Sequence, residues 1–360
     1  MNTTGDTASI AATGMLGAVG QMLDDGLLVA DADGALISAN AAAVRFLGEG
    51  LVGKQLAEVI ARDDVADLVA GRTSSCTLAY ALQTSVAMEF NVRVQRMGDG
   101  QIVAILLDMT SQRNLEKVRR DFVANVSHEL RSPLTSLAGF IETILLNEVQ
   151  DWPTQQRFLK IMEEEAGRMS RLIDDLLSLS RVEVDEHIIP DERVPLLEVV
   201  KSVIASLEPR AARRQMGIVL VDDRPSRPNR PVMYGFSDEI NEVFHNLIEN
   251  AIKYGFEGTD IHIHISAGEA GHVRVCVTNT GEVIGENHLG RLTERFYRVD
   301  KARSRQIGGT GLGLAIVKHI VNRHRGTMEI TSSDEGVTTF AVSLPAVSYT
   351  HLRAHETSTY

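Results

Sequence analysis

The chain has 360 residues, of which 44% are hydrophobic, and its formal net charge is -12 at pH 7. This length and composition predict two or three globular domains, each large enough to bury a core, and exclude a mainly disordered chain. The acidic balance argues against a protein whose main partner is a nucleic acid or an anionic membrane surface, because both attract a basic face.

The two cysteines, Cys76 and Cys276, are far apart in the chain and form no CxxC pattern. They predict neither a disulfide framework nor a thiolate metal site, and they fit a reducing cytosol. No segment has the roughly 18 to 20 consecutive apolar residues that cross a bilayer. We therefore expect a cytoplasmic protein with no membrane span in this chain and no nucleic acid partner.

Short apolar runs and turn signals alternate in the first hundred residues. The stretch GLLVADADGALISAN predicts a hairpin that turns at Asp33-Gly34, and EFNVRVQRMGDGQIVAILLDMT predicts another that turns at Asp99-Gly100. Between them, AAAVRFLG and KQLAEVIAR have helical spacing. After an N-terminal tail, residues 1–14, we expect a mixed α/β module with a small antiparallel sheet at residues 15–110.

From Thr110 the hydrophobic period becomes that of a helix. Apolar residues recur at three- and four-residue spacing as far as Ile144, and again from Phe158 to Leu179, with a turn at VQDWPT between the two runs. The pattern predicts an antiparallel helical hairpin at residues 111–186. Two helices alone bury little of such long apolar faces. We therefore expect a homodimer in which two hairpins form a four-helix bundle.

After VDEHIIPDERVP the chain returns to mixed helix and strand, which predicts a C-terminal domain at residues 187–346. The final residues, 347–360, have no apolar period and resemble an artefact, so they are left out of the predicted fold. The fold class expected is multidomain α+β.

His128 is predicted to lie on the solvent side of the first long helix. At about 100° per residue it points some 200° from Val126 and 160° from Leu130. Glu129 can take the imidazole proton and leave the other ring nitrogen as a nucleophile. Ser132, one turn further on the same face, stands where the HExxH pattern requires its second histidine, so zinc is disfavoured. The alternative is a surface histidine in a charged stripe.

The stretch SDEINEVFHNLIENAIKYG places Glu242, Asn246, Asn250 and Lys253 within about 80° of one another on a helix, opposite an apolar face. Asparagine is a poor helix former, so two of them one turn apart need a reason. Their amide oxygens suit Mg²⁺ bound to nucleotide phosphates, and Lys253 suits the phosphates themselves. A plain solvated face is the alternative.

In SRQIGGTGLGLAIVKHIV, a glycine run leads directly into an apolar helix. Backbone N–H groups at such a helix N-terminus form a phosphate cradle, although the P-loop pattern GxxxxGK[ST] is absent. Five basic residues lie just upstream: Arg295, Arg298, Lys301, Arg303 and Arg305. A fourth motif, VRVCVTNTGEVIG, predicts a strand that ends at Asn279-Thr280-Gly281, where a polar side chain could contact a purine edge or simply mark a turn.

Together these motifs resemble those of sensor histidine kinases of two-component systems. SHELRSPLTSL resembles the phospho-acceptor box, NLIENAIKY the N box, RFYRVD the F box and GGTGLGLAIVK the second glycine box, in the family's order. The run from RLTERFYRVD to GLAIVKH is most similar to phosphate-regulon sensor kinases. The N-terminal module resembles a PAS domain.

The resemblance implies a fold, an activity and partners. It implies an α/β sandwich that binds ATP and Mg²⁺, a dimeric hairpin bundle, autophosphorylation of a histidine, and transfer to an aspartate of a response regulator. His128 would be phosphorylated, Glu129 would accept its proton, and Ser132 would position water for dephosphorylating the regulator. Relatives are often anchored in the inner membrane.

The resemblance also assigns the nucleotide site, with Mg²⁺ at Asn250 beside Asn246. Lys253 and Arg298 would contact phosphates, Tyr254 would pack near the adenine, and glycines would form a lid. The full set of expected nucleotide-binding residues is Asn246, Asn250, Lys253, Tyr254, Asn279, Gly281, Phe296, Arg298, Gly309, Thr310, Gly311, Leu312 and Gly313.

Two boxes depart from the family pattern. The first glycine box reads DxGxG in the family, whereas here Asn279 replaces the aspartate and Val283 the second glycine. A neutral acceptor forms a weaker hydrogen bond than a carboxylate, so weaker nucleotide binding is expected. The last box, EGVTTF, has its glycine one residue early. The rival hypothesis is therefore a PAS-gated dimeric scaffold or phosphatase that no longer autophosphorylates.

Overall fold

A computed structural model describes residues 23–83, 87–146, 151–186, 188, 190–225, 232–300 and 309–347. The predicted tails, 1–14 and most of 347–360, lie outside these residues, as do Lys301, Arg303 and Arg305. The chain divides into two units, Met1–Val123 and Ala124–Tyr360.

The first unit contains a five-stranded antiparallel sheet in the order β2-β1-β5-β4-β3. Both predicted hairpins are present, β1 with β2 and β4 with β5. Strand β3, which pairs with β4, was not predicted. The strands are β1 (Gly26–Ala30), β2 (Leu36–Ala39), β3 (Ser75–Gln83), β4 (Ala87–Arg96) and β5 (Ile102–Asp108).

Three short helices cover the core of this sheet: α1 (Ala41–Leu47), α2 (Leu56–Val59) and α3 (Asp63–Val69). Buried Asn40 joins α1 to β1, because its Oδ1 accepts from Leu27 N at 2.9 Å and from Ala43 N at 2.8 Å. An asparagine at this N-cap position satisfies N–H groups that have no partner within the helix. Helix α2 is shorter than the KQLAEVIAR pattern indicated, and α3 was not predicted.

Two long helices follow, α4 (Thr110–Leu145) and α5 (Trp152–Val184). Asp151 caps the second, since its side chain accepts from Thr154 N at 3.0 Å. The helices are antiparallel: the rings of Phe140 and Phe158 lie 4.9 Å apart between centroids, and Arg168 binds Glu129 further along. The predicted hairpin is present.

Several large apolar side chains of this hairpin are exposed within the single chain. They include Leu134, Ile141, Leu145, Leu159 and Ile173. Exposed apolar surface in water is unfavourable, and extended patches of it mark interaction surfaces. This exposure fits the predicted homodimer, which stays a prediction.

The C-terminal part of the second unit combines a seven-stranded mixed sheet with helices. The strand order is β6-β8-β12-β10-β9-β7, with β11 on β12, and β7 is parallel to β9. The strands are β6 (Arg193–Val194), β7 (Ile218–Asp222), β8 (Val232–Tyr234), β9 (Ile261–Ala267), β10 (His272–Thr280), β11 (Thr327–Ser332) and β12 (Val337–Val347). The helices are α6 (Leu196–Arg213), α7 (Ser237–Tyr254), α8 (Glu286–Leu289) and α9 (Gly313–Arg323).

Apolar faces of α7 and α9 form the core of this region. On α7 the buried residues recur at helical spacing, and Asp238 and Glu239 occupy its first turn, where acidic groups favour the helix dipole. On α9 the buried set includes Ile316 and Ile320. Fully burying one such side chain stabilises a fold by roughly 1.5–3 kcal/mol. Within the described residues, no helix carries an apolar stretch long enough to span a bilayer.

His324 connects the end of α9 to the start of α7. Its Nδ1–H donates to the carbonyl of Ile320 at 2.8 Å, and its Nε2 accepts from the backbone N–H of Phe236 at 3.2 Å. Only the neutral ring can do both. Burial lowers the pKa of His324, and the charge of Arg323 acts in the same direction.

We expect the C-terminal region to lose stability as the pH falls below about 6.5, the ordinary pKa of histidine. The pKa of His324 is lower in the folded than in the unfolded chain, so the unfolded state takes up the proton first. The stabilisation is complete above the unfolded-state pKa and is lost as the pH falls through the folded one. Calorimetry at two pH values, one above and one below about 6.5, measures this. Between the higher and the lower pH, the Tm of the unmodified chain should fall more than the Tm of His324→Leu.

At neutral pH, His324→Leu should itself be destabilised by about 1–3 kcal/mol, because the Phe236 N–H loses its acceptor. Glu239, 3.7 Å from the His324 ring, would attract a protonated ring, but the surroundings as a whole still lower the pKa of His324. The matched control is His262→Gln, which alters an exposed histidine on β9 and should behave like the unmodified chain. Equal pH-dependent losses in the unmodified chain and His324→Leu would contradict this role.

Candidate active site

A cavity of about 520 Å³ opens between α7, the end of β10, the Arg298 loop and the glycine segment, residues 309–313. The polar face of α7 lines it with Asn246, Asn250 and Lys253, while the opposite face of the same helix is buried. Tyr254, at the end of α7, also lines it and remains largely exposed. The amide-rich stripe therefore faces a cavity.

Lys253 is held by a carboxylate on its own helix. Its Nζ donates to Glu249 at 2.8 Å, and Arg210 contacts the same carboxylate from α6. Burial opposes ionisation of Glu249, but Lys253 and Arg210 together keep its pKa below the ordinary value. The contact with Glu249 thus positions the Lys253 side chain at the cavity wall.

The glycine segment lies close to neighbouring backbone. Gly311 has a φ of +77°, and a Cβ there would lie 2.9 Å from the Cα of Phe296. Its carbonyl accepts from Phe296 N at 2.8 Å. A Cβ on Gly313 would lie 2.5 Å from Oδ1 of Asn246. A side chain at Gly311 would clash with the Phe296 backbone at a positive φ, and a side chain at Gly313 would displace the Asn246 amide that lines the cavity.

The end of β10 forms the far wall of the cavity. Asn279 is buried and lines it, as do Gly281 and Val283. Gly281 N donates to the carbonyl of Gly336 at 2.8 Å, and a Cβ on Gly336 would lie 2.2 Å from the Gly281 oxygen. The glycine of the last box is therefore essential where it stands, one residue earlier than the expected pattern.

His128 is exposed on α4, and so is Ser132. Glu129 is directed across the hairpin instead: its Oε2 accepts from Arg168 of α5 at 3.0 Å and lies 3.5 Å from the guanidinium of Arg298. Arg298 also lines the cavity. Arg298 thus lines the cavity and also contacts Glu129, the residue next to His128.

Helix α5 contributes further side chains to the cavity wall. Asp175 lines it and accepts from the Thr310 hydroxyl at 2.6 Å, and burial raises the pKa of this carboxyl. Ser178 donates to Glu242 of α7 at 2.6 Å. Through these contacts, the hairpin that carries His128 forms part of the cavity wall.

Comparison with known proteins identifies the family. Residues 235–348 match the profile of the histidine kinase-, DNA gyrase B- and HSP90-like ATPases, and residues 118–184 match the His Kinase A (phospho-acceptor) domain. The chain is 36% identical over 317 residues to the phosphate regulon sensor protein PhoR of Pseudomonas aeruginosa, which covers 86% of this chain and 69% of the relative. The chain belongs to the sensor histidine kinase family. It has histidine kinase activity.

A second relative agrees with this assignment. The kinase is 32% identical over 334 residues to the sensor protein kinase WalK of Staphylococcus aureus, covering 90% of this chain and 79% of the relative. Its fold resembles a crystal structure of the histidine kinase ThkA in complex with the response regulator protein TrrA, with a TM-score of 0.51 and 21% identity. That similarity spans 89% of this chain and 96% of the solved one.

The structure of the kinase brings most of the expected nucleotide residues to the wall of one cavity. These are Asn246, Asn250, Lys253, Tyr254, Asn279, Gly281, Arg298, Gly309, Thr310, Gly311 and Gly313. Phe296 instead contacts Gly311 through a backbone hydrogen bond. Leu312, within the glycine segment, is completely buried. His128, Glu129 and Ser132 lie on α4, outside the set of residues that line the cavity.

Sequence reasoning missed several wall residues of the kinase. Thr338 and Phe340 of β12 line the cavity and belong to the altered last box, which could have indicated them. Asp175 and Arg171 line it from α5. No local pattern distinguishes these two from an ordinary charged helix face, because their role depends on how the hairpin meets the cavity.

The amide side chains fit a magnesium ion bound together with a nucleotide. Asn246 donates its side-chain N–H to the Glu242 carbonyl at 3.0 Å, and its oxygen faces the glycine segment. Asn250 lies one turn further along the cavity wall. Neutral oxygens suit Mg²⁺ when phosphate supplies the remaining ligands. Among the described residues, no cluster of three or more His, Cys, Asp or Glu could hold a metal without a nucleotide.

Gly311→Ala should weaken nucleotide binding by about tenfold or more. A side chain at positive φ costs of order 1–3 kcal/mol, and 1.4 kcal/mol corresponds to a factor of ten in affinity. The clash with Phe296 adds to this cost. Fluorescence titration with an ATP analogue would measure the affinity.

The matched control is Gly290→Ala, since a Cβ there meets no atom within 4 Å and its φ is -64°. It should bind nucleotide normally. If Gly311→Ala binds as tightly as Gly290→Ala, the close packing of the glycine segment does not shape the site.

Proposed function

We propose that this kinase transfers the γ-phosphoryl group of ATP to His128 and then to an aspartate of a response regulator. The arrangement of Arg298 supports this most directly, because it lines the cavity and lies 3.5 Å from the carboxylate of Glu129. A nucleotide in that cavity would place its phosphates toward the exposed imidazole.

In the proposed step, an imidazole nitrogen of His128 attacks the γ-phosphorus and forms an N–P bond. The bond from the γ-phosphorus to the oxygen bridging to the β-phosphate breaks, and ADP leaves with that electron pair. Glu129 accepts the proton from the other ring nitrogen. Most catalysis of phosphoryl transfer comes from positioning and from neutralising charge.

The cavity residues would each contact a different part of the nucleotide. Lys253 and Arg298 would contact phosphates, and Tyr254 would pack near the adenine, whose amino group Asn279 would bind through its amide oxygen. Asn250, beside Asn246, would hold Mg²⁺, which neutralises phosphate charge when bound. The segment from Gly309 to Gly313, including Thr310 and Leu312, would cover the phosphates with Phe296 and Gly281 shaping the walls.

A dimer partner, a sensor module and a signalling role complete the proposal. The exposed apolar side chains of α4 and α5 support a homodimer through a four-helix bundle. The antiparallel sheet of the first unit supports a PAS-like sensor at residues 15–110, before a hairpin at 111–186 and a nucleotide domain at 187–346. The similarity to PhoR favours a role in phosphate-starvation signalling.

The rival proposal is a scaffold or regulator phosphatase without autophosphorylation. The observation in its favour is that Asn279 and Val283, the two departures within the first glycine box, both line the cavity. A neutral amide at Asn279 weakens one contact, whereas the phosphate-side residues are all retained. We therefore favour the active kinase, and labelling separates the two hypotheses.

Incubation with γ-labelled ATP and Mg²⁺ should give the chain an acid-labile, alkali-stable label. His128→Ala should abolish the label, because it removes the attacking nitrogen. His262→Gln, with its exposed histidine on β9, is the matched control and should be labelled normally. No label on the unmodified chain at millimolar Mg-ATP would favour the scaffold.

Ser132→Ala should slow dephosphorylation of the regulator by about tenfold or more, since a reacting group that is misplaced by a mutation can cost about a hundredfold in rate. Autophosphorylation should continue, because the hydroxyl would act on the water and not on His128. Ser180→Ala, an exposed serine on α5, is the control. A Ser132→Ala kinase that dephosphorylates its regulator at the normal rate would refute the assignment.

A further inference from the structure

Glu129 is shared by two arginines from different parts of the chain. Its Oε2 accepts a hydrogen bond from Arg168 on α5 at 3.0 Å and lies 3.5 Å from Arg298. Both guanidinium side chains are largely buried, 15% exposed for Arg168 and 6% for Arg298. Charge pairs shielded from water hold their geometry better than exposed ones.

Arg168 is well placed to set the direction of the Glu129 side chain. Neighbouring helix residues diverge by about 100°, so Glu129 does not face His128 by default and its position depends on what holds it. Arg168 reaches it from the opposite helix, and Glu165 lies 4.0 Å from the same guanidinium. The planar guanidinium presents donors in a fixed geometry that a flexible ammonium lacks.

Arg168 also affects what Arg298 can do. Arg298 lines the cavity, where a nucleotide phosphate and the Glu129 carboxylate are alternative anions for its positive charge. Because Arg168 also pairs with Glu129, that carboxylate would keep a cationic partner when Arg298 turns to a phosphate. Without Arg168, the whole charge of Glu129 would act on Arg298 and compete with the nucleotide.

We propose that Arg168 is a positioning residue for phosphoryl transfer: it fixes the Glu129 carboxylate and keeps Arg298 available to the phosphates of ATP. This inference rests on the proposed function, in which Glu129 accepts the His128 proton. Arg168 itself lies outside the set of residues that line the cavity and needs no contact with the reacting atoms.

The test measures autophosphorylation rate at saturating Mg-ATP and, separately, nucleotide affinity by fluorescence titration. Arg168→Ala should lower the saturating rate about tenfold, since a displaced catalytic group can cost up to roughly a hundredfold. It should also weaken ATP binding by about threefold to tenfold, although Arg168 is not a cavity residue. Arg168→Lys keeps the charge, so it should restore affinity and only part of the rate.

The double variant Arg168→Ala with Glu129→Gln separates the two effects. Removing the carboxylate charge should restore ATP affinity to the normal value while the rate stays low, which is the non-additivity expected of coupled residues. Arg157→Ala, an exposed arginine near the start of α5, is the matched control and should change neither quantity. Thermal melts of every variant report whether the fold is retained.

Three outcomes would overturn the inference: a normal rate and affinity in Arg168→Ala, an affinity loss that persists in the double variant, or an Arg168→Lys no better than Arg168→Ala. These three outcomes count against the inference only if the unmodified chain is labelled on His128. An unlabelled unmodified chain would instead refute the proposed function, so the two failures are distinguishable.

Discussion

The close approach of the glycine segment to α7 is the constraint on which the active site depends. Gly313 lies so near Asn246 that a methyl group would fall 2.5 Å from the amide oxygen. Burial of the apolar faces of α7 and α9 drives this approach, and the absence of side chains on the segment permits it. The result is a cavity along which α7 presents amide side chains at fixed helical spacing, and we propose that these side chains orient phosphates.

The hairpin meets a different constraint, because one pair of helices must bury an apolar seam and still present a histidine to water. Helical spacing solves this by placing His128 on the exposed face of α4 while Glu129 points toward α5. Glu129 pairs with Arg168 and contacts Arg298, which lines the cavity that we propose binds the nucleotide. The proposed phosphoryl transfer needs both the nucleotide and His128, so it would take place where the cavity adjoins the hairpin.

Periodicity predicted the elements that bury one face. The long hairpin, α7, α9 and the two N-terminal hairpins all follow from apolar spacing and turn residues, and the cavity contains the amides and glycines that the motifs indicated. Helix α3 was not predicted because seven residues are too few to establish a helical period, and β3 was not predicted because alanines between its larger apolar residues obscure the alternation of a strand. The Asp175–Thr310 bond joins residues 135 positions apart, and no local pattern records such a pairing.

The direct test of the account is to locate the phosphoryl group itself. After incubation of the full chain with Mg-ATP, peptides prepared at alkaline pH can be sequenced by tandem mass spectrometry. The account predicts one added phosphoryl group on the imidazole of His128. A phosphoryl group on another residue, or none on a chain that binds the nucleotide, would contradict it.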